Sequence, residues 1–544
     1  MCAPIALTLL PFAQFACESH MPDAENSQHS SGEPFGRFVP LCRIPAILLA
    51  FALLGALPTW MTTSQGVGVL PDSMVYLAGA DAVQSGEGVA FFREQNHYPP
   101  LYPVLIAAFA QAGDLEQGAR WLHILCAAAS TVGMGLVLWQ LIRPSHNESR
   151  ALLGSLAGGW LLVSADDFLL HFSILYSEAV FFAFMLPGLA AALAHLKSGR
   201  KPALILASLC FAACLMTRYA AAFLAPGVGV GILLLGQGSW RQRLVNVVVL
   251  NAIAITPLVL FKLALSTGDS TGREMAWHFV SADQWSGFCL TVANWFLPYR
   301  LASPATGFVC LAITSALLVV GSWRQRRNNG EWRTAATLIS ALGLLLFSHI
   351  AFIFLCISAV DYSLHIEFAR HFLASHVVAL AALIGIAATP RPHSPPAVRW
   401  GAILLLSVAA FTNSVRFVKV APKLARDGAG YSSRPWQESP ALQFVQSLPA
   451  NARIHADNFE SIRHILKRPC ERVPEAFDPH SVKPNPEFDA QMNRLITDLN
   501  QGGWLILFHK TDRWYQATLE DIQTKIAIEA VHEFEDAVVY QAKR

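Results

Sequence analysis

The feature that most constrains this chain is its succession of apolar segments, each close to the length that crosses a lipid bilayer. A transmembrane helix needs roughly 20 apolar residues, because each residue advances the helix by about 1.5 Å through a hydrocarbon core of about 30 Å. About eleven segments approach this length. The predicted spans lie near 43–61, 119–142, 150–164, 172–195, 202–216, 219–236, 244–265, 303–321, 335–358, 371–388 and 400–417.

Composition agrees with lipid as the solvent for much of the chain. Of the 544 residues, 54% are hydrophobic and only 14% are charged. Soluble domains carry about 25% charged residues, so this deficit indicates a polytopic α-helical membrane protein. The net charge of +2, without a basic stripe, argues against a nucleic-acid partner.

The distribution of lysine and arginine predicts the topology. Basic connections such as 195–202 and 322–333 alternate with connections that carry more acids, which places the N-terminus inside. Residues 1–42 are then a cytoplasmic tail, predicted to be disordered, and 43–418 form the transmembrane domain with a first outer loop at 62–100. An odd number of spans puts 419–544 outside the cytoplasm, where short apolar runs alternate with helical patterns and predict a small α/β domain.

Polar residues in the first outer loop form the first candidate site. In "PDSMVYLAGADAVQ", Asp72 and Tyr76 are four residues apart and share a helical face, whereas Asp81 points the opposite way. Asp72 is either a functional carboxylate or the N-cap of the helix after Pro71. His97 and Tyr98 precede a pair of prolines, where a rigid extended segment returns to the membrane.

A second candidate site lies in "SADDFLLHFSILYSEAVFF". On one continuous helix, Asp167, His171 and Glu178 fall on a common face, where they can bind a divalent cation or the water or hydroxyl to be activated. The alternative is a solvated helix start, with Glu178 hydrogen-bonded inside the bundle.

The third set is cationic. Arg218, Arg300 and Arg370 fall at outer membrane ends, where guanidinium groups can bind a phosphate bidentately. The alternative is simple interfacial snorkelling. No GxxxxGK[ST] motif is present, so substrates are expected from the outer side or from the lipid.

Taken in order, these segments resemble the GT-C superfamily of polytopic glycosyltransferases, most closely bacterial members of the protein-mannosyltransferase and aminoarabinose-transferase type. The resemblance rests on DS-x-x-Y at Asp72, the PPLYP re-entry, "YSEAVFFAFML", "LMTRYAAAFLAP" and "EFARHFLASHVVAL". It covers roughly residues 43–417. Two positions depart from the pattern: Tyr98 stands where a lysine is often found, and His371 where a tyrosine is frequent.

The resemblance implies an inverting glycosyltransferase in the bacterial inner membrane. A sugar would pass from a polyprenyl-phosphate donor to a glycan, lipid or protein acceptor, with Asp72 as the general base. Arg218 and Arg370 would stabilise the phosphate leaving group, and a divalent metal held by Asp167, His171 or Glu178 is a candidate cofactor. Residues Tyr76, His97, Tyr98 and His371 would bind substrate.

Proteins of other classes share these gross features. A transporter or flippase of lipid-linked saccharide also needs many spans and intramembrane charges, but it tends to show inverted repeats, which this sequence lacks. A surface-polysaccharide polymerase or ligase shares the lipid carriers. A catalytically inactive scaffold is a further alternative, and activity that survives loss of Asp72 would favour any of the three.

Overall fold

The computed structural model describes most of the chain. The described residues are 43–95, 98–110, 113–143, 148–265, 277–323, 331–359, 368–389, 395–478, 483–511 and 513–543. The predicted N-terminal tail at 1–42 lies outside them.

Residues 43–427 form a helical bundle. Its helices are α1 (Arg43–Thr62), α2 (Pro71–Ser85), α3 (Gly88–Glu94), α4 (Leu101–Phe109), α5 (Leu115–Ile142), α6 (Glu148–Ser164), α7 (Asp166–Ser173), α8 (Glu178–Ser198), α9 (Lys201–Leu215), α10 (Leu224–Leu235), α11 (Trp240–Leu265), α12 (Ala282–Phe296), α13 (Pro304–Trp323), α14 (Glu331–Ala359), α15 (Phe368–Ala388) and α16 (Pro396–Asp427). A short 3-10 helix spans Tyr219–Phe223. Helices α5, α8 and α15 lie at the centre, whereas α1 and α11 expose much of their apolar surface.

Several helix ends follow from local sequence. Pro71 opens α2, where its missing N–H costs nothing, and Gly86 ends the same helix with a φ of 86°. Gly199 ends α8 in the same left-handed conformation, with a φ of 69°. Between α9 and the 3-10 helix, Arg218 is extended, so the predicted interruption at 217–219 is confirmed.

The multi-pass membrane architecture is confirmed. Within the described residues, 8 helices are long and apolar enough to cross a membrane, or 9 if α6 and α7, which bend by 64°, form one span. Two shorter apolar helices cover Lys201–Leu215 and Tyr219–Leu235. The count of eleven spans therefore stays a prediction. The bundle does not end at 418 as expected, because α16 continues to Asp427.

The expected continuous helix across 167–178 is wrong. Helix α7 ends at Ser173, and α8 begins at Glu178. Ile174 is extended, and Leu175 donates its backbone N–H to the carbonyl of Gly68, at 2.7 Å. This pairing withdraws a backbone donor that a helix would need.

The C-terminal residues form the predicted small α/β unit. Its helices are α17 (Arg434–Gln437), α18 (Pro440–Ser447), α19 (Phe459–Leu466), α20 (Phe488–Asn500) and α21 (Leu519–Gln523). Its strands are β1 (Ile454–Ala456), β2 (Glu471–Arg472), β3 (Trp504–Phe508), β4 (Ile528–Glu533) and β5 (Ala537–Ala542). The sheet order is β2-β1-β3-β5-β4, in which β1 runs parallel to β2 and β3, while β5 runs antiparallel to β3 and β4.

Alternate side chains of β3 explain the two layers of this unit. Ile506 packs with Val445 and Ile462 on one face, and Leu505 packs with Leu495 and Leu499 on the other. Such alternation is the natural consequence of a strand covered by helices on both faces.

Candidate active site

Four charged side chains from distant parts of the chain meet at one end of the bundle. Arg370 lies at the start of α15 and contacts two carboxylates: its Nη1 lies 3.0 Å from Asp72 Oδ2, and its Nε donates to Glu178 Oε1. Arg218 Nη1 lies 2.5 Å from the same Glu178 oxygen. We call these four residues the charged cluster. Asp72, Glu178 and Arg370 therefore lie together although they belong to three separate segments of the chain.

Burial differs sharply across the charged cluster. The Glu178 side chain is 3% exposed and that of Arg370 is 9% exposed, whereas that of Asp72 is 40% exposed. The carboxylate of Asp72 therefore faces solvent at the mouth of the site. Glu178 Oε2 is buried and has no hydrogen-bond partner among the described residues. A hydroxyl donor placed beside that oxygen would meet an unpaired acceptor.

Asp72 does not cap its helix. Leu70 occupies the N-cap position, and the hydroxyl of Ser73 accepts the Leu70 backbone N–H at 2.9 Å. Asp72 is the second residue of α2, and its carboxylate is directed to Arg370. The N-cap alternative is therefore wrong.

Neutral polar groups line the same site. The Tyr76 hydroxyl lies 3.2 Å from Ser177 Oγ, and Arg218 Nη1 donates to that same oxygen at 3.2 Å. The Tyr76 ring packs edge-on against Tyr98 and Tyr102, with centroids 5.3 and 4.9 Å apart. Burial raises the pKa of Tyr76 to about 12, so this phenol stays protonated at physiological pH.

Aromatic rings form cation–π contacts with two cations, Arg370 and Lys262. The Arg370 guanidinium lies 4.0 Å from the centre of the Tyr176 ring. Beside Arg218 in the chain, the Tyr219 ring carries Lys262 Nζ at 4.7 Å. Arg370 and Lys262 therefore each lie within cation–π distance of an aromatic ring.

Extended segments hold the two carboxylate-bearing helices together. Gly68 accepts a hydrogen bond from Leu175 and donates one to Ser173, at 2.7 and 2.8 Å. On the other side, Val69 accepts the N–H of Tyr431 at 2.8 Å. These bridges run parallel and place three segments side by side. We call this arrangement the three-segment contact.

Glycine is required where the three-segment contact is tightest. Gly430 has a φ of 53°, and a Cβ there would lie 2.1 Å from the carbonyl oxygen of Val69. A Cβ on Gly68 would lie 2.7 Å from the Ala429 Cβ. Both distances are too short for real atoms, so larger side chains would separate the segments.

The residues proposed to hold a metal do not assemble into a metal site. The break between α7 and α8 removes the common helical face expected for Asp167, His171 and Glu178. His171 Nδ1 instead donates to the backbone carbonyl of Asp167 at 2.5 Å, and Glu178 Oε1 receives both guanidinium groups of the charged cluster. Within the described part of the chain, no group of three or more His, Cys, Asp or Glu side chains has metal-binding geometry. Two cations already neutralise Glu178, so these residues do not fit a metal ion.

Sequence reasoning missed a second buried ion pair. Arg416 Nη1 lies 3.3 Å from Asp166 Oδ1, and the hydroxyl of Tyr299 donates to the other oxygen of Asp166. Arg416 also donates to the backbone carbonyls of Asn294 and Leu297, at 2.8 and 2.7 Å. The pair ties α7, α12 and α16 together. Its signal in the sequence was an arginine inside the last predicted span.

The remaining predicted site residues have different positions. His371 follows Arg370 in α15 and is half-buried, and Tyr98 contacts the Tyr76 ring. Arg300 is exposed in the turn before α13. His97 lies outside the described residues.

Comparison with known proteins gives a fold likeness only. No protein-family model and no curated protein matches the sequence. Three similar solved structures are oligosaccharyltransferases from Archaeoglobus fulgidus. AglB in complex with an inhibitory peptide and a dolichol-phosphate has a TM-score of 0.44 at 10% identity, covering 85% of this chain and 69% of that chain. The complex with Zn and sulfate has a TM-score of 0.45 at 10% identity, covering 85% and 68%. The structure tethered to an acceptor peptide has a TM-score of 0.43 at 10% identity, covering 91% and 74%.

Proposed function

We propose that the chain is a membrane glycosyltransferase that moves a sugar from a polyprenyl-phosphate donor to an acceptor on the outer side of the membrane. The observation that carries this proposal is the charged cluster, in which a half-exposed carboxylate lies beside two arginines held by a buried glutamate. This arrangement supplies a base and a phosphate-binding group within one site.

Asp72 is the general base. Its carboxylate is the most exposed of the charged cluster, at 40%, so an acceptor hydroxyl or amine can approach it. The acceptor proton passes to Asp72 as the acceptor atom forms a bond to the anomeric carbon of the sugar. A single displacement of this kind inverts the configuration at that carbon.

Arg218 and Arg370 receive the leaving group. The bond between the anomeric carbon and the phosphate oxygen breaks with its electron pair on the phosphate, which leaves as polyprenyl phosphate. Guanidinium groups stabilise the charge that develops on this oxygen. Because the leaving group is already a phosphate, no nucleotide site is needed.

Glu178 orients the two arginines rather than taking the acceptor proton. Its Oε1 is shared between the guanidinium groups, which fixes their separation. Its Oε2 is buried beside them and has no hydrogen-bond partner in the described residues, so it is placed to accept a hydroxyl of the bound sugar. This role matches the large burial of Glu178 and the smaller burial of Asp72.

The donor, acceptor and location form part of the same proposal. We assign a polyprenyl-phosphate sugar as the donor, and a glycan, lipid or protein as the acceptor. One of the similar archaeal structures holds a dolichol-phosphate, a lipid phosphate of the proposed donor class. The chain is placed in the bacterial inner membrane, with the sheet domain outside the cytoplasm.

The test is transfer of label from a panel of radiolabelled polyprenyl-phosphate sugars in membranes that contain the chain. The wild type should transfer label, and Asp72→Asn should lose transfer. Asp81→Asn is the matched control, because Asp81 lies on the same helix but is exposed on another face. Transfer by Asp72→Asn at the wild-type rate would refute the assigned base. Movement of intact lipid-linked saccharide without transfer would support a flippase instead.

A further inference from the structure

A cavity lies at the opposite end of α8 from the charged cluster. It has a volume of about 440 Å³ and is enclosed by the ends of α8, α10, α11 and α14. Helix α8 contains 21 residues, so at about 1.5 Å per residue the cavity is roughly 30 Å from Glu178. The lining residues are Leu196, Lys197, Leu234, Leu235, Gly236, Gln237, Arg243, Arg333, Thr334, Thr337 and Leu338.

Among the described residues, the charged side chains that line this cavity are all positive. Lys197, Arg243 and Arg333 come from three different helices. Arg243 donates from Nε to the carbonyl of Gly238 at 3.2 Å and from Nη1 to that of Leu233 at 3.4 Å. Among the described residues, Arg243 and Arg333 form no ion pair with a carboxylate, so their charges are not neutralised there.

Basic residues at this end of the bundle have an ordinary explanation, which accounts for only part of the arrangement. Positive side chains favour the cytoplasmic ends of spans and the carboxyl ends of helices. Neither tendency requires cations from separate helices to surround one concave space. Four leucines form an apolar part of the same lining, so the cavity is lined by both cationic and apolar side chains.

An exposed apolar path leads away from the rim. On α11, directly after Arg243, Leu244, Val245 and Val248 are 46%, 59% and 59% exposed. Leu234 on α10 is 56% exposed. A molecule with a phosphate in the cavity can therefore lay hydrocarbon chains along α10 and α11, in contact with the bilayer.

We propose that this cavity binds the phosphate headgroup of an anionic phospholipid from the leaflet opposite the charged cluster. Guanidinium groups match phosphate oxygens bidentately, and basic pockets between spans on the cytoplasmic side bind anionic headgroups. The apolar path favours a lipid over free phosphate. The volume is within the range of small-ligand sites, which is sufficient for a headgroup.

The experiment uses the purified full chain in detergent, titrated with mixed micelles of phosphatidylglycerol or phosphatidylcholine. Bound lipids are counted by native mass spectrometry, and thermal unfolding is followed in parallel. Phosphatidylglycerol should raise the unfolding midpoint and remain bound, because a ligand specific to the folded state stabilises it. Arg243→Gln with Arg333→Gln should remove both effects.

Matched variants distinguish lipid binding at this cavity from a general effect of positive charge on the protein. Arg241→Gln changes the same charge on the same helix, but Arg241 does not line the cavity and is exposed, so its response to phosphatidylglycerol should equal that of the wild type. If the double variant fails to fold, Arg333→Gln alone serves, because Arg333 is exposed. An equal effect of phosphatidylcholine, or an effect retained by the cavity variants, would overturn the proposal. An equal effect of inorganic phosphate would show that the ligand is the free anion and not a lipid.

Discussion

Replacing Asp72 with asparagine should change substrate binding and transfer in opposite directions. Asp72 is the proposed base, and its carboxylate also forms an ion pair with Arg370 at 3.0 Å. A donor phosphate would compete with Asp72 for the same guanidinium. Asp72→Asn removes the competing negative charge while preserving the size of the side chain, so Arg370 becomes more available to phosphate.

The expected size of the binding effect follows from the burial of the two side chains, and that of the rate effect follows from the usual contribution of a general base. The Asp72 side chain is 40% exposed and that of Arg370 is 9% exposed, so solvent weakens their attraction. We therefore expect the ion pair to contribute about 1 kcal/mol. That energy corresponds to donor binding about fivefold tighter in Asp72→Asn. Loss of a general base lowers the rate by about 10²- to 10⁴-fold. Binding should therefore improve slightly while transfer almost stops.

The assay measures both quantities on one preparation. Equilibrium binding of a short-chain polyprenyl phosphate to the detergent-purified protein reports on the arginines, and initial rates of sugar transfer report on the base. Asp81→Asn should match the wild type in both. If Asp72→Asn lost binding in proportion to transfer, Asp72 would be a donor-binding residue, and the reasoning would be refuted.

Three further variants test the charged cluster, the three-segment contact and the C-terminal domain. Glu178→Gln leaves Arg218 and Arg370 buried without their shared carboxylate, and we expect a loss of about 3–5 kcal/mol of stability, measured as a lower unfolding midpoint than that of Asp72→Asn. Gly430→Ala should lower kcat with little change in donor binding, because its Cβ would displace Val69. Gly502→Ala is its control, since Gly502 also has a positive φ but nothing lies within 4 Å of a Cβ there. Burial raises the pKa of Asp457 to about 7, above its ordinary 3.8, so the folded state binds the extra proton and wild-type stability falls as the pH rises between these values. The unfolding midpoint of Asp457→Asn relative to wild type should therefore rise from pH 5 to pH 8, and a constant difference would contradict this.

The sequence indicated those parts of the site that depend on local pattern. Asp72 and Tyr76 lie four residues apart, and helical periodicity alone places them on one face. Arg218 interrupts an apolar run too long for one span, so its position at a turn followed from length. The small α/β domain followed from short apolar runs that alternate with helical patterns.

The break between α7 and α8 could not be read from the sequence because its cause is distant. Residues 174–177 contain neither glycine nor proline, and their apolar character suits a helix. The helix is nevertheless interrupted, because Ile174 is extended and Leu175 pairs with Gly68, far away in the chain. The same break separates Asp167 from Glu178, which the proposed set of metal ligands had placed on one helix. Likewise, Asp166 was recognisable as half of an ion pair only once α16 had brought Arg416 beside it.

The three-segment contact lies close in the chain to both carboxylates of the charged cluster. Val69 lies three residues before Asp72, and Leu175 lies three residues before Glu178, so both carboxylates follow the contact closely in the chain. Tyr431 joins this contact through its backbone, and its hydroxyl donates to Asn458 of the C-terminal domain at 2.7 Å. A shift of that domain would therefore reach Asp72 through a short, hydrogen-bonded path. Because the proposed base and the phosphate-binding arginines must keep one separation, we expect a shift of the C-terminal domain to change the rate of the proposed transfer.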